Sequence, residues 1–178
     1  DYAITSDQTG YVSGPAVTTT VNRDAAIIEG YTFMDSNGNG FYDMDEGPYA
    51  GQTLTMTNAT DPITISDEDG YYSFRVEIPG SGRVSSDQPT DTFRTTPGTV
   101  YIDAVLGITQ TVNFGYAPDT SEFGVIYGTV FQDDNHNEDQ NLGENGLSEV
   151  VLTSLQAAAS TVTTNVLGQY TLRFNSPV

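Results

Sequence analysis

The chain has 178 residues, 24 of them acidic, with five arginines, no lysine, and a formal charge of −19 at pH 7. Phosphate backbones and anionic bilayers recruit clustered positive charge, so this balance excludes nucleic acid and acidic membrane surfaces as partners. The absence of cysteine excludes disulfides and thiolate metal sites, and no apolar run of 18 residues is present to insert into a membrane.

In chain order, residues 1–27 carry two short motifs, Ile4-Thr5-Ser6-Asp7-Gln8 and Thr20-Val21-Asn22. A first Asx-rich stretch follows at 35–46. Strands are then predicted at Leu54-Thr55-Met56-Thr57 and Tyr72-Ser73-Phe74-Arg75-Val76, where apolar and polar residues alternate between Gly, Pro, Asn and Asp clusters. Val84–Gln88, Val100–Ile102 and Thr111–Phe114 continue the unit, and 118–123 reads as a linker. A second Asx stretch at 133–144 precedes the alternating Tyr170-Thr171-Leu172-Arg173-Phe174. One segment with helical character, Leu155–Ser160, is too short to hold as an isolated helix. The expectation is an all-β chain.

An internal repeat organises these elements. Gly30-Tyr31-Thr32-Phe33-Met34-Asp35 recurs as Gly128-Thr129-Val130-Phe131-Gln132-Asp133, 98 residues later. The offset holds at Glu46 and Glu144, Leu54 and Leu152, Gly70 and Gly168, and Tyr72 and Tyr170. The first copy continues to Phe114; the second has no such ending before Val178. That ending has its likeness at the other end of the chain. Ile4–Gln8 resembles Val84–Gln88, and Thr20–Asn22 resembles Thr111–Asn113. With Val178 joined to Asp1, Tyr170 precedes Gln8 by 16 residues, the same spacing that separates Tyr72 from Gln88. The expected division is therefore 1–27, closing strands of a module; 28–117, a complete module; 118–123, a linker; and 124–178, the front of a second module. Three situations produce it: one period of a tandem array, a chain whose open module is closed by strands of a neighbour, or boundaries that cut across a module. In the first two the protein works as a polymer through self-association of identical subunits or adjacent repeats.

Numbered 1 to 12, the Asx stretches place oxygen-bearing side chains at positions 1, 3, 5, 9 and 12. The candidate ligands are Asp35, Asn37, Asn39, Asp43 and Glu46, and Asp133, Asn135, Asn137, Asn141 and Glu144, with Phe41 and Asp139 lending carbonyls at position 7. Alternate short Asx side chains in a tight loop converge on one point, and a terminal Glu offers two oxygens. Such an oxygen-only set suits Ca2+ better than Mg2+, which gives up its water reluctantly. Position 6 is Gly40 in the first loop and Glu138 in the second, which weakens the second. The competing reading is a solvated turn.

Each front half reads Gly-x-x-Phe-x-Asp-x-Asn-x-Asn and later Gly-x-Tyr-x-(Phe/Leu), at Gly70–Phe74 and Gly168–Leu172. This resembles the calcium-binding B repeats of serine-aspartate repeat surface adhesins, within the collagen-adhesin B-type fold. The resemblance covers residues 28 to about 115 and 125–178. It implies tandem immunoglobulin-like Greek-key sandwiches with EF-hand-like calcium loops, and a stalk or fibre role on or outside cells. It also implies metal ligands at the side chains named above. Two departures stand out. A chain without lysine cannot form the lysine–asparagine isopeptide bond of many such domains, and the turn residue Asp67 is replaced by Asn165.

The functional expectation is a calcium-stabilised structural module of an extracellular or cell-surface filament, with no enzymatic role. His136 sits in a loop expected to face solvent, and the acids sit in loops and turns. The alternative is an adhesin module that recognises a host protein or glycan.

Overall fold

The computed structural model describes residues 24–155 and 161–175. Of the closing strands expected at 1–27, residues 1–23 lie outside the described residues, as do residues 156–160 of the short helical segment, while Ala26 and Ile27 belong to the first strand of the complete unit. All thirteen elements of the described residues are strands, so the described chain is all-β, and its first unit is a sandwich of two sheets.

In the first unit, β1 (Ala26–Met34), β4 (Tyr71–Val76), β6 (Thr92–Arg94), β8 (Thr109–Thr111) and β9 (Phe114–Pro118) form one sheet. Its order is β4-β1-β9-β6, with β8 also on β1. β2 (Thr53–Met56), β3 (Ile63–Ile65), β5 (Gly80–Ser86) and β7 (Thr99–Ala104) form the other, in the order β3-β2-β5-β7. Alternation puts Ile28, Leu54, Met56, Tyr72, Phe74, Val84, Val100, Ile102 and Phe114 into one core between the sheets. β1 runs antiparallel to β4 but parallel to β8 and β9, so this sheet is mixed.

The second parallel neighbour of β1 needs close backbone approach. The buried Val112 donates its amide to the Glu29 carbonyl at 2.8 Å. Its own carbonyl takes the Tyr72 hydroxyl at 2.5 Å. A Cβ at Gly30 would overlap that carbonyl, so the seat exists only for glycine. Asn113 then accepts the Tyr31 amide through Oδ1 at 2.9 Å.

β9 ends at Pro118 and β10 (Phe123–Thr129) begins the second unit, after a turn in which the Ser121 amide donates to the Pro118 carbonyl at 2.9 Å. β10 pairs with β13 (Gln169–Asn175), and β11 (Val151–Thr153) pairs with β12 (Thr161–Thr163). These reproduce β1–β4 and β2–β3 at the 98-residue offset. Even the isolated bridge Phe33–Pro48 returns as Phe131–Gly146. Among the described residues, counterparts of β5 to β9 are absent from this unit. The consequence is exposure: Ile28 and Val76 are 0% exposed, whereas their counterparts Ile126 and Phe174 are 57% and 48% exposed.

The two related glycines should therefore respond differently. Gly30→Ala overpacks the β8 seat and is expected to cost about 2–3 kcal/mol in thermal or denaturant unfolding of the first unit. Gly128→Ala meets only the end of the Tyr170 side chain in the chain by itself and should cost much less. Equal losses would show that the seat is not the cause.

Candidate metal centre

The first Asx loop begins where the buried β1 ends, so its first carboxylate is drawn inward, whereas Asp133 of the second stays partly exposed. Asp35 is buried, and its amide donates to the Tyr116 carbonyl at 2.8 Å. Its Oδ1 accepts the amides of Gly38 at 2.6 Å and Asn39 at 3.2 Å, and its Oδ2 accepts that of Gly40 at 2.8 Å. Asn37 Oδ1 takes the Asn39 amide at 2.9 Å, and Asn39 Oδ1 takes that of Phe41 at 2.7 Å. Buried Glu46 closes the ring, with Oε1 accepting from Ser36 at 3.0 Å and Oε2 from Asp43 at 3.1 Å.

The second loop repeats the pattern. Asp133 Oδ1 accepts the Asn137 amide at 3.2 Å and Oδ2 that of Glu138 at 3.0 Å. Asn135 Oδ1 takes the Asn137 amide at 3.0 Å and Asn137 Oδ1 that of Asp139 at 2.9 Å. Glu144, also buried, accepts from Asp134 at 3.2 Å through Oε1 and from Asn141 at 2.8 Å through Oε2. Asn165 likewise does the work of Asp67. Asp67 Oδ1 takes the amides of Asp69 and Tyr71, and Asn165 Oδ1 takes those of Leu167 and Gln169.

The donor set is oxygen-rich, as a hard cation requires. Each carboxylate or amide oxygen can accept twice, and Asp35 Oδ2, Asn37 Oδ1, Asn39 Oδ1 and both Glu46 oxygens have one backbone donor each, leaving capacity for a cation. Among the described residues, no three Asp, Glu or His side chains converge into a metal cluster by themselves. A cation here would draw on amide and carbonyl oxygens as well. Asp43 Oδ2 is at present satisfied by Nδ2 of Asn37 at 2.8 Å and of Asn39 at 2.7 Å. Seating an ion requires these two amides to turn away from it.

The electrostatics run in opposite directions within the first loop. Burial pushes the Glu46 carboxyl up, as does the Asp35 charge, while the amides of Asp43 and Asn37 pull it down. The Asn37 and Asn39 donors hold the Asp43 carboxyl below its usual range. At Asp133 burial pushes upward but is outweighed by the amides of Glu138, His136 and Asn137 and by the His136 charge, so its carboxyl is lowered.

The weak point expected at position 6 takes a specific form. Glu138 adopts φ 68°, matching φ 78° at Gly40, and His136 adopts φ 62°, matching φ 70° at Gly38. The loop geometry survives without glycine, at the cost of two strained residues.

One feature of the site is not foreseen by the ligand pattern. The first loop lies against the second unit: a Cβ on Gly38 would overlap the Phe123 ring, and one on Gly40 the Thr171 side chain. Thr171 Oγ1 donates to the Thr95 carbonyl at 2.6 Å. Phe123 stacks edge-on with Phe93 at 5.8 Å, and the Arg173 guanidinium sits 4.8 Å from the Phe123 centroid. The signal available in the sequence was the loss of both glycines from the second loop. Away from both loops, an open depression of about 560 Å³ runs between Asp87, Arg94, Gly98 and Tyr127. Its Arg94 is already engaged, donating through Nη2 to the Ser86 carbonyl at 2.5 Å.

No family model matches the chain, and no curated protein matches it in sequence. Among solved structures it is similar to the minor pilin of Streptococcus agalactiae, at 11% identity and TM-score 0.42, over 54% of this chain and 45% of that one. It is similar to the Bacillus anthracis TIE protein at 11% identity and TM-score 0.41, over 85% of this chain and 26% of that one. It is also similar to the shaft pilin of Lactobacillus rhamnosus GG at 9% identity and TM-score 0.38, over 87% of this chain and 84% of that one. The chain spans less than half the length of the first two. Likeness at these values is too distant to bear on function or assembly.

Glu138→Gly releases the strain at position 6 and is expected to stabilise the second loop by about 0.5–1 kcal/mol, the left-handed penalty less the added chain entropy of glycine. Thermal unfolding in chelator reads it. A loss of stability would show that the Glu138 side chain supports the loop.

Proposed function

We propose that the chain is a calcium-stabilised structural repeat of an extracellular or cell-surface filament, stalk or matrix fibre. The observation that carries this reading is the repetition, 98 residues apart, of one loop with the same amide-to-side-chain hydrogen bonds on the same β scaffold.

The ligands are Asp35, Asn37, Asn39, the Phe41 carbonyl, Asp43 and Glu46 in the first loop. In the second they are Asp133, Asn135, Asn137, the Asp139 carbonyl, Asn141 and Glu144. When bound, calcium supplies positive charge to a cluster in which the burial of Glu46 and the nearby Asp35 charge already disfavour ionisation. Sites of this type in extracellular modules bind at roughly 10⁻⁴ to 10⁻³ M, so they fill outside cells and empty in cytosol. A hundredfold excess over the dissociation constant adds about 2.7 kcal/mol to folding. Because the first loop packs on Phe123 and Thr171, fixing that loop also fixes the junction between units, and a string of units becomes a rod. The role is mechanical, not catalytic.

The structure sets how the test must be read. Asp35 and Glu46 hold backbone amides, so their loss lowers the melting temperature in chelator as well as in calcium. The informative quantity is the calcium-induced rise. Millimolar calcium should raise the melting temperature of the parent chain by several degrees. Asp43→Asn and Glu46→Gln should each remove most of the first loop's share of that rise. An undiminished rise in both variants would overturn the ligand assignment.

A further inference from the structure

We propose that a second copy of this chain docks head to tail on the second unit. Its residues 1–22 fill the places that β5 and β8 fill in the first unit, and its β1–β4 outer face seats on the 133–144 loop. The inference rests on the filament reading and names its partner and register.

Three observations converge. The first is a seat that no described residue fills. Gly128 stands where Gly30 makes room for the Val112 carbonyl, and Tyr170 stands where Tyr72 bonds that carbonyl. Among the described residues, the Tyr170 hydroxyl end is what approaches Gly128 in the second unit. The neighbouring apolar face carries Ile126 and Phe174, both half-exposed. Among the described residues no second strand lies beside β10 or β11, and strands placed there would complete the pairings seen in the first unit.

The second is a segment with the right sequence in the right register. Val17-Thr18-Thr19-Thr20-Val21-Asn22 parallels Ile108-Thr109-Gln110-Thr111-Val112-Asn113, which supplies β8 and the Val112 carbonyl. Ile4-Thr5-Ser6 parallels Val84-Ser85-Ser86, whose partners are Met56, Thr55 and Leu54. The counterparts of those partners are Ser154, Thr153 and Leu152. The eleven residues between Ser6 and Thr18 reach at most about 40 Å, ample to cross a sandwich whose sheets lie about 10 Å apart. Residues 1–23 join the described structure before Ala26, at the opposite end of β1 from the first loop. Nine strand residues place that end about 30 Å from the junction with the second unit.

The third is a size exchange between the two junctions. Within the chain, small Gly38 receives large Phe123, and Gly40 receives Thr171. Moved by 98 residues, the pairs become His136 with Ala25 and Glu138 with Ser73. The large side chain is now on the loop and the small one on the receiving strand. Ala25 is partly exposed and Ser73 exposed, as residues awaiting a partner are. A loop bearing His136 cannot accept a phenylalanine in the Phe123 position, but it can accept Ala25.

Because the chain has no cysteine, the register can be read by disulfide trapping. Chains carrying Thr5→Cys and chains carrying Thr153→Cys are mixed in millimolar calcium and about 0.15 M salt, then oxidised. The expected result is a linked dimer in at least tenfold excess over that from either variant alone, and a ladder of multimers from the double variant. Linkage within single chains of the double variant, or no linkage, overturns the proposal. Ala25→Phe should cut the linked yield at least tenfold without shifting first-unit melting, and His136→Gly added to it should restore the yield by recreating the Phe123–Gly38 fit. Failure of that rescue overturns the seat on the second loop. Calcium-induced melting shifts are read separately. A shift without linkage leaves the filament module standing and removes head-to-tail docking; linkage without a shift does the reverse for calcium.

Discussion

The first unit depends on the place where the Val112 backbone crosses β1. A buried carbonyl must be hydrogen-bonded, and this one takes the Tyr72 hydroxyl while lying over Gly30. The Val112 amide is satisfied by Glu29 and the next side chain, Asn113, by the Tyr31 amide. Burial pushes the Tyr72 hydroxyl well above its ordinary range, which favours the protonated form that donates. Parallel strands cannot be joined by a hairpin; they need a crossover. Here that crossover runs through β5, β6 and β7 before β8 can seat. The sandwich therefore divides naturally into a front half, β1 to β4, and a closing half, β5 to β9. Among the described residues, the second unit shows the ribbons of a front half with its apolar face uncovered.

The Asx loops show how a cation site can be shaped before a cation arrives. The carboxylates of Asp35 and Glu46 act first as caps for five loop amides, which fixes the loop path with hydrogen bonds stronger than neutral ones. What remains unresolved electrostatically is the crowding of acids around Glu46, and a bound cation answers that. On the proposed reading, calcium would contribute to charge balance more than to loop shape. The first loop has a further anchor, the Asp35 amide on Tyr116 of β9. Among the described residues no strand takes that place beside Asp133, and the second loop is more exposed at its first carboxylate and around positions 3 to 6.

The repeat, the strand alternation and both loops were legible because each leaves a local trace: period two for strands, fixed offsets for the repeat, and alternate Asx residues for the loops. The buried positions Ile28, Leu54, Tyr72 and Phe74 follow directly from that alternation. Parallel pairing of β1 with β8 and β9 was not legible, since partner choice depends on residues some 80 positions apart. The doubt over Glu138 came from reading residue preference as a veto. The backbone takes φ 68° there because the surrounding hydrogen bonds over-determine the loop. Asn165 raised a similar doubt, but only its carbonyl oxygen is used, and an amide supplies one as well as a carboxylate. The contact of Gly38 with Phe123 escaped for a different reason. Glycine in an Asx loop is explained by its dihedral angle alone, and that explanation concealed a second, steric one.

The charge distribution bears on what kind of polymer such units can form. Of five arginines, Arg94 is tied to Ser86 beside the Tyr116 ring, Arg173 covers Phe123 at the junction, and Arg75 pairs with Glu77. Most of the cationic charge is thus committed within the chain, and the remaining surface is strongly anionic. Two bound calcium ions would bring −19 only to −15. Side-by-side contact between units meets that repulsion over its whole area, screened only beyond about 8 Å at physiological salt. End-to-end contact meets it at one small face and is offset there by burial of an apolar seat. If identical units assemble as proposed, this distribution favours association along one axis and slender, separate fibres over bundles.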